Sequence, residues 1–220
     1  MKKKDDIIAY YPVSLNIWRR KCVVVGGGEI ALRKVKVLLE YGADVEVISP
    51  DLCPELVRLG ESGEISVHNH AYETGNLAGA FLAIAATDDV ETNRQVVEEA
   101  RRKVVLVNVV DDAVNSDFIV PSYLRRGGLT IAVSTSGQSP ALARKIRTRL
   151  DKEITDQYGD LAHLIAEVRA EIKREGMKIE DNHWQEALDL DLLLELLKKG
   201  EKGKAKAILV SRLKERQGNV

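Results

Sequence analysis

Three consecutive glycines, Gly26-Gly27-Gly28, end the apolar run Cys22-Val23-Val24-Val25 and lead directly into a helical pattern. In that pattern Ala31, Val35, Leu38 and Leu39 share a face, and Gly42 stands where a C-cap belongs. Val25 to Ala31 matches Gly-x-Gly-x-x-Ala in a strand–turn–helix context. Gly26 permits the tight turn, Gly28 lets a backbone approach a pyrophosphate, and Ala31 keeps the helix close to the sheet. Unpaired N–H groups at the helix start can hold phosphate oxygens. The plainer alternative is that the glycines serve only the turn.

The same alternation continues. Val45 to Ile48, Ile65 to His68, Phe81 to Ala86 and Val104 to Val110 read as strands, with Asp88 to Lys103 helical between the last two. Short connections between such elements predict a parallel sheet with helices on both faces, a Rossmann-type α/β domain. The pattern changes after about residue 113. Phe118 to Leu124 and Leu129 to Ser134 read as two strands joined through Arg125-Arg126-Gly127-Gly128. Ser139-Pro140 opens a helix, with serine as N-cap and proline at the first position. Leu161 to Arg174, His183 to Lys199 and Lys204 to Arg216 then read as helices. The expected organisation is a dinucleotide-binding domain over 1–113, a small strand-containing segment over 114–150 and a helical domain over 151–220.

Composition removes several functions. A net charge of −1 argues against general nucleic-acid binding, which needs a basic excess. No apolar run approaches the roughly 20 residues that span a bilayer. Met1 to Asp6 is charged without a long apolar stretch behind it, which argues against a secretory signal. Cys22 and Cys53 make no disulfide framework, so a reducing, cytoplasmic setting is expected.

Candidate site residues lie at strand ends, where this fold forms its ligand crevice. The dinucleotide fingerprint expects an acid about 20 residues on, to hold the adenine ribose. Ser49 stands at that position with Asp51 just beyond, so either one is the ribose contact. No arginine follows Ser49 to hold a 2′-phosphate, which favours NAD over NADP. Thr87 and Asp88 are candidates to line the cofactor; the alternative is that Asp88 or Asp89 caps the next helix. Asp111 follows the fifth strand as a candidate general base; taken alone it also reads as a solvated loop acid. His68 and His70 lack a third ligand nearby and read as surface histidines, so no metal site is expected. Arg144, Lys145, Arg147 and Arg149 crowd one helix, a solvated face that also suits a polyanionic small molecule.

Five blocks in order resemble the precorrin-2 dehydrogenase/sirohydrochlorin ferrochelatase family, the dehydrogenase module of siroheme synthase. They are Val24 to Lys34, Ala83 to Asp89, Asn108-Val109-Val110-Asp111, Phe118-Ile119-Val120-Pro121-Ser122, and Ser134 to Arg144. The resemblance covers about residues 8–150. It implies an oxidoreductase of siroheme biosynthesis, with NAD-dependent dehydrogenation of precorrin-2 to sirohydrochlorin. In some members Fe²⁺ insertion, a lyase-type ferrochelatase step, follows. It implies a homodimer built through the segment after the Rossmann domain. It also implies a catalytic role for Asp111 and dinucleotide contacts at Glu29, Ile30, Pro50 and Asp51. The tetrapyrrole's carboxylates would meet Arg144 and Arg147 after the Ser139 cap, or Arg125 and Arg126, with Asn108 also at the substrate. The competing reading is a non-catalytic, NAD-binding regulatory Rossmann domain, like the gating domains of potassium transport. Such a domain would need neither Asp111 nor the Phe118 to Ser122 block.

Overall fold

A computed structural model describes residues 10–215. The charged stretch Met1 to Asp6 and the last residue of the Lys204–Arg216 helix lie outside those residues. Residues through Val120 form one compact unit, and those from Pro121 form a second.

The first unit runs β1 (Lys21–Val25), α1 (Glu29–Glu40), β2 (Asp44–Ile48), α2 (Pro54–Glu61), β3 (Ser66–His68), β4 (Leu82–Ala85), α3 (Val90–Lys103) and β5 (Leu106–Val109). Its sheet is wholly parallel, in the order β3-β2-β1-β4-β5. This is the expected Rossmann-type architecture. The apolar run of β1 is continuous because both faces are covered. Cys22 and Val24 pack into the core shared with α1 and α2, while Val23 and Val25 pack into the core under α3. Burial pushes the Cys22 thiol up to about 12, so it is a packing residue without thiolate character.

Elements shift slightly from their expected bounds. Asp88 and Asp89 precede α3, because Asp89 caps it by accepting from the Glu91 and Thr92 N–H groups. Val104 leaves β5 because it closes α3 in a left-handed conformation, φ 57°. Helix α2 was not anticipated; Pro54 at its first turn is the signal that marks it.

β5 is an edge strand, and the chain beyond it blunts that edge. The Val107 N–H donates to the Asp117 carboxylate (3.0 Å), the Val109 N–H donates to Ser116 Oγ (2.9 Å), and the Asp117 N–H donates to Val107 O (2.8 Å). The expected strand at Phe118 therefore begins only at Ser122: residues 116–118 are already spent on covering β5.

The second unit runs β6 (Ser122–Arg126), β7 (Leu129–Val133), α4 (Pro140–Glu153), α5 (Asp156–Arg174), α6 (Asp181–Ala187), α7 (Leu190–Lys198) and α8 (Lys202–Glu215). β6 and β7 pair antiparallel through Arg126↔Leu129, so the loop is Gly127-Gly128 alone and Arg125 and Arg126 belong to the strand. Gly127 takes φ +54°, the positive value a two-residue turn requires. The expected helix His183–Lys199 is two helices. Asp189 breaks it by capping α7 through the Leu192 N–H (3.2 Å) and pairing with Arg212 (3.2 Å).

Gly159 in α5 lies against this hairpin. A methyl there would stand 2.7 Å from Arg126 O and 3.1 Å from Gly127 N. Both neighbours are backbone, so the helix or hairpin must move. Gly159→Ala is expected to destabilise by about 1–3 kcal/mol, read as a lower midpoint in denaturant. Gly203→Ala, where an added methyl meets nothing within 4 Å, is the control and should be neutral. Equal stability of the two variants would contradict this packing.

Candidate nucleotide-binding and catalytic site

The carboxyl ends of β1, β2 and β4 enclose a cavity of about 560 Å³. It sits where the strand order reverses, at β1, the position at which this fold class binds ligands. Gly26, Gly28, Glu29, Ile30, Ser49, Pro50, Asp51, Thr87 and Asp88 all line it.

The three glycines differ in what they do. Gly26 holds φ +126°, and a side chain there would meet Ala86 O at 2.3 Å. A Cβ on Gly27 would lie 1.8 Å from Asp51 O and 2.7 Å from Ser49 Oγ. Both are required by packing. Gly28 is extended, φ −87° and ψ −173°, and its Cβ would meet nothing within 4 Å. Its missing side chain therefore leaves open space above the start of α1. Among the described residues that helix has no side-chain cap at its N-terminus, and Gly28, Glu29 and Ile30 at its start line the cavity, where first-turn N–H groups can meet an anion. Ala31, fully buried, keeps α1 against the sheet. The cradle fits a pyrophosphate.

The two candidates at the end of β2 separate. Ser49 is buried, and its hydroxyl donates to Asp51 O at 2.7 Å. Asp51 is exposed on the cavity wall. At the end of β4, Asp89 is the capping acid; hydrogen bonds from Thr92 and Glu91 draw its carboxyl below the usual range. Asp88 is left exposed on the wall. Sequence reading missed Ala71, Tyr72 and Thr92, which also line the cavity. Ala71 and Tyr72 sit in the irregular segment after β3, where no periodic pattern marks them.

Asp111 does not line this cavity. It sits one strand over, where the chain reverses after β5: the Val110 N–H donates to Ala85 O (3.0 Å) and the Asp112 N–H to Val109 O (3.2 Å). Asp111 occupies the tip at φ 60°, a left-handed conformation uncommon outside glycine and seen at functional sites. Its side chain is exposed and within electrostatic reach of Lys34 on α1. Burial and the neighbouring Arg33 push the Lys34 pKa down, and the Asp111 charge opposes them. Asp112 is employed differently. Its carboxylate accepts from the Val114 and Asn115 N–H groups (3.1 Å each) and from the Asn115 side-chain amide (2.7 Å). These bonds hold its pKa below the usual range.

Asn108 is buried, and its amide donates to Phe118 O at 3.0 Å, while its Oδ1 finds no partner. In the second unit, Ser139 caps α4 by accepting from the Leu142 N–H (3.3 Å), and its own N–H donates to Thr135 Oγ1 (3.0 Å). Arg144 is exposed, and Arg147 approaches Asp151 at 3.9 Å. Arg126 is tied to Asp151 (2.8 Å), Asp156 (3.2 Å) and Ile154 O (3.1 Å) within its own unit. Among the described residues no group of three or more His, Cys, Asp or Glu could hold a metal ion, and no helix is long and apolar enough to cross a membrane.

A doubly wound sheet with an open glycine cradle at its switch point defines a dinucleotide-binding protein. Comparison with known proteins agrees. A family model described as "Putative NAD(P)-binding" matches residues 13–122, and one described as "Sirohaem biosynthesis protein central" matches 126–153. The siroheme synthase of Chromobacterium violaceum is 38% identical over 206 residues, which is 93% of this chain and 44% of that protein. That of Methylobacillus flagellatus is 46% identical over 163 residues, 74% of this chain and 35% of that protein. Among solved structures, "SirC, precorrin-2 dehydrogenase" superposes with a TM-score of 0.70 at 25% identity, covering 94% of this chain and all of the other. The chain belongs to the NAD(P)-binding family whose model matches residues 13–122. It spans less than half the length of these two siroheme synthases.

Proposed function

We propose that this protein oxidises precorrin-2 to sirohydrochlorin with NAD. The observation that carries the reading is the open cradle over Gly28, with Asp111 held at the same carboxyl edge of the sheet. NAD supplies a hydride acceptor when bound; the chain's own residues bind, orient and move the accompanying proton. The N–H groups at the start of α1 take the pyrophosphate, and Asp51 takes the ribose. Among the described residues the cavity wall carries Glu29, Asp51, Asp88 and Asp89 and no lysine or arginine. A 2′-phosphate would meet like charge and no cation, so NADP should bind at least about 10-fold more weakly than NAD, in line with a like-charge cost above 1 kcal/mol. Equal affinities in a calorimetric titration would refute that assignment.

Asp111 accepts the proton that leaves the substrate as the hydride departs. Where iron insertion follows, the same carboxylate takes a pyrrole N–H proton, and Fe²⁺ is a substrate rather than a resident metal. Ser139, Arg144 and Arg147 take the substrate carboxylates, and Asn108 serves the substrate end of β5. The functional division runs 1–113 for the dinucleotide, 114–150 for dimerisation and 151–220 for the helical part, with the homodimer working in the cytoplasm. Leu142 and Ile146 on α4 are 51% and 39% exposed, apolar surface that supports a homodimer through this segment. Sedimentation should give twice the chain mass; a monomer would remove the dimer from the account.

The function is tested by mixing precorrin-2, NAD and the protein without oxygen. NADH absorbance should rise as the sirohydrochlorin spectrum appears, and added Fe²⁺ should then convert that spectrum if the second step is present. Tight NAD binding with no change in the tetrapyrrole spectrum would favour the regulatory reading instead.

A further inference from the structure

The one charged residue buried among the described residues is Glu99 on α3, only 1% exposed. It belongs to neither the cradle nor the edge that carries Asp111. Its carboxylate is nonetheless fully engaged. It accepts from the Tyr72 hydroxyl (2.6 Å) and from the Gly75 (2.9 Å) and Leu77 (3.4 Å) N–H groups, and Lys103 approaches at 3.4 Å. Burial alone would push its pKa up; the donors outweigh burial and hold it below the usual range. Three of the four partners come from the segment between β3 and β4, which has no regular structure of its own. That segment supplies Ala71 and Tyr72 to the cavity wall. They follow β3 in the chain and line the same cavity as Asp51, Thr87 and Asp88.

We propose that Glu99 is a positioning residue for the adenosine half of the dinucleotide. It fixes the loop from Tyr72 to Leu77 to α3, so that Ala71 and Tyr72 form a rigid wall beside Asp51. The inference rests on reading the cavity as the nucleotide site. A buried carboxylate with four partners is well suited to this, because each donor it loses is left unpaired and the loop must rearrange. Local turn bonds such as Asn76 N–H to Glu73 O and Ala78 N–H to Gly75 O shape the loop itself, whereas the bonds to Glu99 tie it to α3.

The test uses ADP-ribose, which carries the adenosine and pyrophosphate without the nicotinamide, titrated calorimetrically into the full chain. Glu99→Gln keeps the size and one acceptor but removes the charge. Its dissociation constant for ADP-ribose should rise at least about 10-fold, the loss of roughly one charged hydrogen bond. In turnover the KM for NAD should rise by a similar factor, with kcat at saturating NAD unchanged. Tyr72→Phe keeps the ring on the wall and deletes one donor, so it should weaken ADP-ribose binding less. It also carries the test if Glu99→Gln does not fold. Combining the two should add little to Glu99→Gln alone, because both act through one contact. Wild-type affinity in both variants, with only a lowered melting temperature, would overturn the proposal and leave Glu99 as a structural residue. Failure of the unaltered protein to bind ADP-ribose would instead overturn the nucleotide site itself.

Discussion

Asp111→Asn is expected to lose at least about 100-fold in dehydrogenase turnover, the low end of what a general base contributes, while NAD binding and melting temperature stay at wild-type values. The structure makes this substitution a clean one. Asp111 sits at φ 60° on an exposed turn tip, and asparagine accepts that conformation as readily as aspartate does. Among the described residues the Asp111 side chain accepts no hydrogen bond, unlike its neighbour. Asp112 holds residues 114–115 through three bonds, so Asp112→Asn should cost stability of about 1 kcal/mol and leave turnover within a few-fold. The paired measurement is single-turnover rate and thermal midpoint for each variant. A damaged rate in the Asp112 variant beside a wild-type rate in the Asp111 variant would reverse the assignment. Wild-type rates in both would sink the general-base mechanism, with solvent left as the proton route.

Gly28→Leu should abolish NAD binding, weakening it at least about 100-fold, or roughly 2.7 kcal/mol, in a protein that remains folded. The backbone at Gly28 is extended and therefore open to any residue, and a Cβ added there meets nothing within 4 Å. It occupies only the space above the start of α1. The same change at Gly26 or Gly27 should instead damage folding, because backbone atoms lie within 2.3 Å of the added carbon in each case. Circular dichroism and NAD titration on the three variants separate these outcomes. Unchanged affinity in folded Gly28→Leu would remove the glycine turn from the site.

The parts of this fold that could be read in advance are those where one physical requirement dominates. The run Cys22 to Val25 announces a strand buried on both faces, and Gly26 to Ala31 announces the turn that follows, because few other residues tolerate those positions. Ser139-Pro140 likewise marks the start of α4, and Asp89 or Asp88 the start of α3. What stayed hidden depends on contacts between distant segments. Phe118 reads as a strand by its neighbours, yet the chain before it is consumed in pairing the free edge of β5. His183 to Lys199 carries an unbroken apolar pattern; the break comes from the Asp189 carboxylate and its distant partner Arg212. In the site, the nine cofactor candidates lie together because they sit at strand ends, a place fixed by topology. Tyr72 escaped notice for the opposite reason. It belongs to an irregular loop whose position is set by Glu99, 27 residues further on. Asp111 and Asp112 are indistinguishable as letters, and only the turn between them shows which carboxylate is spent on the backbone.

The central claim is that one hydride leaves precorrin-2 for the dinucleotide held over Gly28. The direct measurement is the stoichiometry of NADH formed to precorrin-2 consumed by the full chain under anaerobic conditions, with Gly28→Leu and Asp111→Asn run alongside. One NADH per tetrapyrrole in the unaltered protein, none in the Gly28 variant and a slow approach to the same ratio in the Asp111 variant is the predicted result. Consumption of precorrin-2 without NADH, or NAD bound with neither consumed nor reduced, would contradict it.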